Sequence, residues 1–134
     1  MADDALYILL VDDDSNVRDT VRRQLSRVKR WHIAEVDNAA AALEHCARYR
    51  VDVVVSDFDM PGMTGLELLE LLRVAHPSIV RLLLTGHDDL HLCLHALNQG
   101  VAHRFVCKPW DDVDLRSVVR DSIQVVRGGT PPAL

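Results

Sequence analysis

The chain has 134 residues, 49% hydrophobic and 26% charged, with a formal net charge of −5 from 20 acidic and 15 basic side chains. That length and apolar content support one ordinary domain with its own core and exclude a disordered chain. The mild acidity argues against a domain that itself grips nucleic acid by neutralising phosphates, and three cysteines, odd in number and without CxxC spacing, argue against a disulfide framework.

A first strand is predicted over Leu6–Val11. The apolar run is too short to span a bilayer and follows acidic residues where a secretion signal carries basic ones, so the expectation is a cytoplasmic protein with no membrane contact. Val17, Val21, Leu25 and Val28 then recur at helical spacing, with Ser15 or Asn16 as the expected N-cap. A second strand is expected over Trp31–Val36, with Trp31 packing at its start. A second helix carries Ala39, Leu43, Cys46 and Ala47 behind Asn38. The third strand, Val51–Ser56, runs into a Pro61-Gly62 turn. Leu66 to Val74 reads as a leucine-rich helix entered from Thr64-Gly65 and stopped before Pro77. A fourth strand over Ile79–Leu84, a helix from Asp88 to Gln99 ending at Gly100, and a fifth strand over His103–Cys107 follow. Leu115, Val118, Val119, Ser122 and Val126 line a last helix. Residues 1–127 are expected to form the domain, and 128–134, GGTPPAL, a linker or free tail.

Strict βα alternation with nearly continuous Leu/Ile/Val strands implies an α/β fold whose parallel sheet is covered on both faces. The expected architecture is a flavodoxin-like, doubly wound (βα)5 domain with a five-stranded parallel sheet ordered 2-1-3-4-5. Such sheets bind ligands at the carboxyl ends of their strands. There the sequence places Asp12, Asp13 and Asp14 after the first strand, and Asp57 and Asp59 after the third. Thr85 and Gly86 follow the fourth, and Lys108 and Pro109 the fifth. Gathered carboxylates repel unless a cation shares the cleft, and an all-oxygen set suits Mg2+ or Mn2+. Lys108 would add a positive charge and Thr85 a hydroxyl, so the rim is equipped to hold a phosphoryl group on a nucleophilic Asp57.

The motifs ILLVDDD (8–14), VVVSDFDMPGMTG (53–65), LLLTG (82–86) and FVCKP (105–109) resemble those of the receiver domain of bacterial two-component response regulators. The resemblance spans about Tyr7 to Arg127. It implies that Asp57 accepts a phosphoryl group from a sensor histidine kinase or a phosphotransfer protein. It also implies that Asp12, Asp13, Asp57 and the backbone carbonyl of Asp59 hold Mg2+. Thr85 and Phe105 would form the switch pair, and Lys108-Pro109 would be joined by a cis peptide bond. The expected output is a change in the face built by the fourth helix, fifth strand and fifth helix, which would regulate an output domain or effector or support a homodimer. The RFVCKPWDD segment has the flavour of receivers joined to HD-GYP phosphodiesterases or transcription activators. As an enzyme the domain would catalyse only its own phosphorylation and dephosphorylation. Asp59, Gly86 and His87, at the mouth of the site, are expected to modulate the lifetime of the phosphorylated form.

His87, His91 and His95 share helical spacing that could hold zinc, but a polar helix face explains them more simply. Cys107 reads as a small strand residue and Trp110 as packing below the last helix. Three rival readings stand beside this one. A haloacid-dehalogenase-like aspartyl-phosphate phosphatase is suggested by DFD, yet that motif normally follows the first strand. A degenerate receiver would be expected to lack the acceptor or the lysine. A flavin binder would need a hydroxyl-rich loop where three aspartates stand.

Overall fold

Alternate side chains along the central strands supply two separate cores, one on each face of a single sheet. The computed structural model describes residues 5–86, 90–107 and 114–128. Its elements are β1 (Leu6–Val11), α1 (Ser15–Leu25), β2 (Trp31–Val36), α2 (Ala39–Arg48) and β3 (Val53–Asp57), followed by α3 (Gly65–Ala75), β4 (Val80–Thr85), α4 (Leu90–Asn98), β5 (Arg104–Cys107) and α5 (Leu115–Gly128). All strand pairs are parallel, as the alternation predicts, and the order is β2-β1-β3-β4-β5, the expected flavodoxin-like one. Leu9, Val11, Val54 and Leu83 face the side covered by α2, α3 and α4, where Ala42, Leu68, Leu72 and Ala96 meet them. Ile8, Leu10, Val53, Val55, Leu82 and Leu84 face the other side and pack on Val21 and Leu25 of α1 and Val118 and Val119 of α5. Burial on both faces explains why these strands carry no polar alternation.

Helix entries follow side-chain capping. Asn38 Oδ1 accepts from the Ala41 N–H at 2.7 Å. Thr64 and Glu67 form a reciprocal capping box at the start of α3. At α1 the cap is Asp14, whose Oδ1 accepts from the Asn16 N–H at 2.9 Å, and not Ser15 or Asn16. β3 and β4 each sit one to two residues later than the apolar pattern places them. Asp57 still pairs with Leu84, and Thr85 with Cys107. β5 begins at Arg104, one residue later than expected. His103 Nδ1 takes the Arg81 N–H at 2.9 Å, a place that a ladder carbonyl would fill. The last turn of α5 includes Gly128, which the sequence pattern assigns to the tail. Trp31 packs on the α1–α5 core at the start of β2. Cys46 is buried, and burial pushes its thiol up to about 11.

Two buried charges hold the amino-terminal ends of the strands. Asp52 accepts from the Tyr7 N–H at 2.8 Å and from Arg127 Nη2 at 2.6 Å, which ties the last turn of α5 beneath the sheet. Arg81, 4% exposed, donates to the carbonyls of Val101 (2.8 Å), Gly100 (3.1 Å) and Ile79 (3.1 Å). The α4 terminus it holds is a paired-bond C-cap. The Val101 N–H reaches Ala96 O at 2.9 Å and the Gly100 N–H reaches Leu97 O at 3.1 Å, with Gly100 at φ +77. Among the described residues, no helix is long and apolar enough to cross a membrane.

Candidate functional site

β1 and β3 are neighbours, so the aspartates at their carboxyl ends converge. Asp12 directly follows β1 and is 4% exposed. Its N–H donates to Val36 O (3.3 Å), its Oδ1 accepts from the Asp14 N–H (2.9 Å), and its carbonyl accepts from Arg18 Nη1 (2.6 Å). Arg18 is itself held by Glu35 Oε1 at 3.1 Å, while the other oxygen of Glu35 takes Arg22 at 2.9 Å. The loop after β1 is thus fixed from β2 and α1 before any ligand arrives. Asp13, the next residue, is exposed.

Asp57 is the last residue of β3 and is 4% exposed. Its position depends on a close approach of α3. The Gly65 N–H donates to Phe58 O at 2.9 Å, and Ser56 Oγ donates to Asp57 O at 2.9 Å. A Cβ on Gly65 would lie 2.0 Å from the Asp57 carbonyl oxygen, so no other residue type fits this backbone. The Phe58 N–H continues the ladder to Leu84 O at 2.8 Å, and the chain then turns through Gly62 at φ +79.

Asp12, Asp13 and Asp57 each offer a carboxylate oxygen, and these atoms lie within 4.8 Å of one another. Oxygens on one octahedral Mg2+ are about 3.0 Å apart when adjacent and about 4.2 Å apart when opposite, so three carboxylates gathered this closely can converge on one hard divalent cation. The donor set is oxygen only, which is the preference of Mg2+ and Mn2+. Asp59 is exposed at the mouth, two residues beyond Asp57.

Thr85 ends β4, is 1% exposed, and donates through Oγ1 to Gly86 O at 3.3 Å. Phe105 lies half-buried on β5 opposite Leu83, packed on the α2–α3–α4 core. Leu83 and Thr85 are two apart on one strand and share a face, so Thr85 and Phe105 are diagonal neighbours on that side. Lys108, Pro109, Trp110 and His87 lie outside the described residues. His91 and His95 are exposed on α4.

Sequence reasoning placed the aspartates and Thr85 but passed over Gly65, Ser56 and the Arg18–Glu35 clamp. Gly65 carried a readable signal: a poor helix former stands directly after a Thr cap, where nothing in the helix requires it. Arg18 carried none, since an arginine on a polar helix face has no marked spacing.

Residues 8–120 match the family model described as the response regulator receiver domain. The hydrogenase transcriptional regulatory protein HoxA of Cupriavidus necator is 31% identical over 92% of this chain, which spans only 25% of HoxA. The signal receiver domain of an HD domain-containing protein from Pseudomonas fluorescens Pf-5 superposes with a TM-score of 0.86 at 32% identity, covering 96% of this chain and 94% of that one. The response regulator TrrA of Thermotoga maritima, solved in complex with Mg2+-BeF, gives a TM-score of 0.76 at 26% identity over 87% of this chain and 98% of that one. Because the family match runs from the first strand into the last helix, the chain belongs to the response regulator receiver domains, the signalling domains of two-component systems.

Proposed function

We propose that this receiver is a phosphorylation-controlled switch whose acceptor is Asp57. The carrying observation is the convergence of the Asp12, Asp13 and Asp57 carboxylates within 4.8 Å at the carboxyl ends of β1 and β3. A carboxylate oxygen of Asp57 attacks the phosphorus of a phosphohistidine on a sensor kinase or phosphotransfer protein. The P–N bond breaks and its electron pair stays on the imidazole. Asp12 and Asp13, with Asp57 and the Asp59 carbonyl, would hold Mg2+ or Mn2+. Bound there, such an ion would offset the charge of the cluster and supply a positive charge to a transferring phosphoryl group. Lys108 is assigned the opposing positive charge.

The phosphoryl adds roughly two negative charges and three acceptor oxygens. Thr85, whose hydroxyl donates a long 3.3 Å bond to Gly86 O, turns to one of those oxygens. Phe105 follows on the same face and alters the α4–β5–α5 surface. Asp59, Gly86 and His87 set how long the adduct lasts. The domain spans residues 1–127 and regulates an output domain or effector. The similarity to HoxA and to the receiver of an HD domain-containing protein supports a transcription activator or an HD-type output.

Intact mass after incubation with Mg2+ and acetyl phosphate tests the assignment. One added phosphoryl, dependent on Mg2+ and absent from Asp57→Asn, is expected. An unmodified wild type that also fails to bind beryllofluoride would mark a receiver working without phosphorylation. Sustained release of phosphate from an ester substrate would mark a phosphatase instead.

A further inference from the structure

At the opposite end of the sheet from the aspartates, β1, β2 and the end of α2 border an open cleft of about 370 Å3. Its lining gathers side chains that the switch does not use. The chain has only two tyrosines, and both are here. On the sheet side, Tyr7 stacks on His32 with ring centroids 4.9 Å apart and planes 19° from parallel. The Arg50 guanidinium lies 4.8 Å from the Tyr7 ring centroid. On the helix side, His45 and Tyr49 sit one turn apart with centroids 4.8 Å apart. Two ring pairs therefore line one cleft, with a guanidinium over the Tyr7 ring. Tyr49 is 61% exposed, so the rings have not been drawn into the core, and β2 is an edge strand that leaves the opening uncovered.

This combination has a defined chemistry. Aromatic rings on two sides of a cleft accept a flat heteroaromatic ring between them, whatever its hydrogen-bonding edge. A guanidinium at the rim takes a phosphate or carboxylate through paired N–H donors. Imidazole and phenol groups offer further donors to a sugar or ring nitrogen. A cavity of this size matches a small ligand and not a protein segment. We propose that this cleft binds a purine mononucleotide, with the base between the Tyr7–His32 and His45–Tyr49 pairs and the phosphate on Arg50. Tyr7 lies five residues before Asp12, about 16 Å along the strand, so the site is separate from the acceptor and independent of the phosphorylation reading.

The two sites nevertheless share a framework. Asp52 accepts from the Tyr7 N–H, lies 3.4 Å from Arg50 Nε, and holds Arg127 of α5 at 2.6 Å. A phosphate that takes Arg50 leaves Asp52 to Arg127, and occupancy of the cleft then tightens the end of α5.

Titration of the 15N-labelled protein with AMP and with GMP, followed by amide shifts, tests the proposal. Saturable shifts are expected at Tyr7, His32, His45, Tyr49 and Arg50, and unchanged in Asp57→Asn. Tyr49→Ala and Arg50→Ala replace mostly exposed side chains, and thermal melts of both variants check that the fold is kept. Each is expected to weaken binding about tenfold or more. Adenosine and ribose 5-phosphate, each carrying half of the ligand, are expected to bind more weakly than AMP by a similar factor. Absence of saturable shifts with both nucleotides would overturn the proposal. So would shifts centred elsewhere, or ribose 5-phosphate binding as tightly as AMP, which would reduce the cleft to a surface charge.

Discussion

Gly65→Ala is the sharpest test of how Asp57, the proposed acceptor, is positioned. The added Cβ would stand 2.0 Å from the Asp57 carbonyl oxygen and 2.9 Å from both the Asp57 carbonyl carbon and Ser56 Oγ. Ordinary contact begins at 3.4 Å, so the first of these is short by 1.4 Å. The atoms it meets are mainly backbone of the last β3 residue, and they cannot swing aside as a flexible side chain would. Either α3 retreats, breaking the Gly65–Phe58 bond of 2.9 Å, or the end of β3 moves with Asp57. Overpacking of this kind costs about 1–3 kcal/mol, which lowers the melting temperature of a domain this size by roughly 3–15 °C. A misplacement of about 1 Å at a reacting centre costs on the order of a hundredfold in rate, so phosphorylation by acetyl phosphate is expected to slow at least tenfold. Gly86→Ala is the stability control, because among the described residues its Cβ meets nothing within 4 Å. It is expected to keep stability within about 0.5 kcal/mol of wild type. The assays are urea unfolding and the time course of the phosphorylated mass. A Gly65→Ala protein with wild-type stability and rate would refute the argument that α3 sets the place of Asp57.

Stability is expected to depend on pH through His103. Burial first, and the Arg81 charge second, hold its imidazole below the ordinary 6.5. The folded state therefore binds fewer protons, so this contribution is fully present above pH 6.5 and is lost as pH falls below that value. His103→Asn, which can still accept the Arg81 N–H but does not titrate, should flatten the stability–pH curve between pH 7 and 5. Asp52→Ala leaves the Tyr7 N–H and Arg127 without their acceptor. Charged hydrogen bonds of this kind are worth about 1.5–3 kcal/mol, and a loss below 0.5 kcal/mol in urea unfolding would show that the bond is spectator geometry. Arg18→Ala removes the clamp on the Asp12 carbonyl. It should weaken Mg2+ binding about tenfold, the scale of outer-shell effects on metal sites, with little change in melting temperature. Unchanged Mg2+ affinity by fluorescence titration would count against a positioning role.

The parallel sheet was legible because the apolar runs and their helical spacers alternate without exception, and because parallel strands buried on both faces leave a continuous apolar signature; its order followed from the commonest doubly wound topology. The aspartate trio was legible for a related reason: acids that stop an apolar run mark a strand's carboxyl end, and the order of strands then decides which ends meet. Element limits were less so. Asp57 and Thr85 were read as lying beyond their strands because a polar residue ends an apolar pattern, whereas the ladder continues through the backbone irrespective of side chain. The Asp14 cap was missed because three successive aspartates and Ser15 all carry capping chemistry, and only backbone geometry selects one. The buried pairings of Asp52 with Arg127 and of Arg81 with loop carbonyls join residues that no local spacing connects. The aromatic cleft was invisible for the same reason: its rings come from β1, β2 and α2, and each alone is an ordinary surface residue.

The arginine buried under α4 has a mechanical consequence. By gripping Gly100 and Val101 from β4, Arg81 makes the carboxyl end of the helix a fulcrum. The nine residues of α4 form a lever about 13 Å long. A tilt of about 10° would leave Gly100 in place yet carry the far end, the one nearest Thr85 in sequence, by about 2 Å. Any displacement of this helix would therefore be graded along its length, greatest at the end nearest Thr85 in sequence and vanishing where Arg81 holds it.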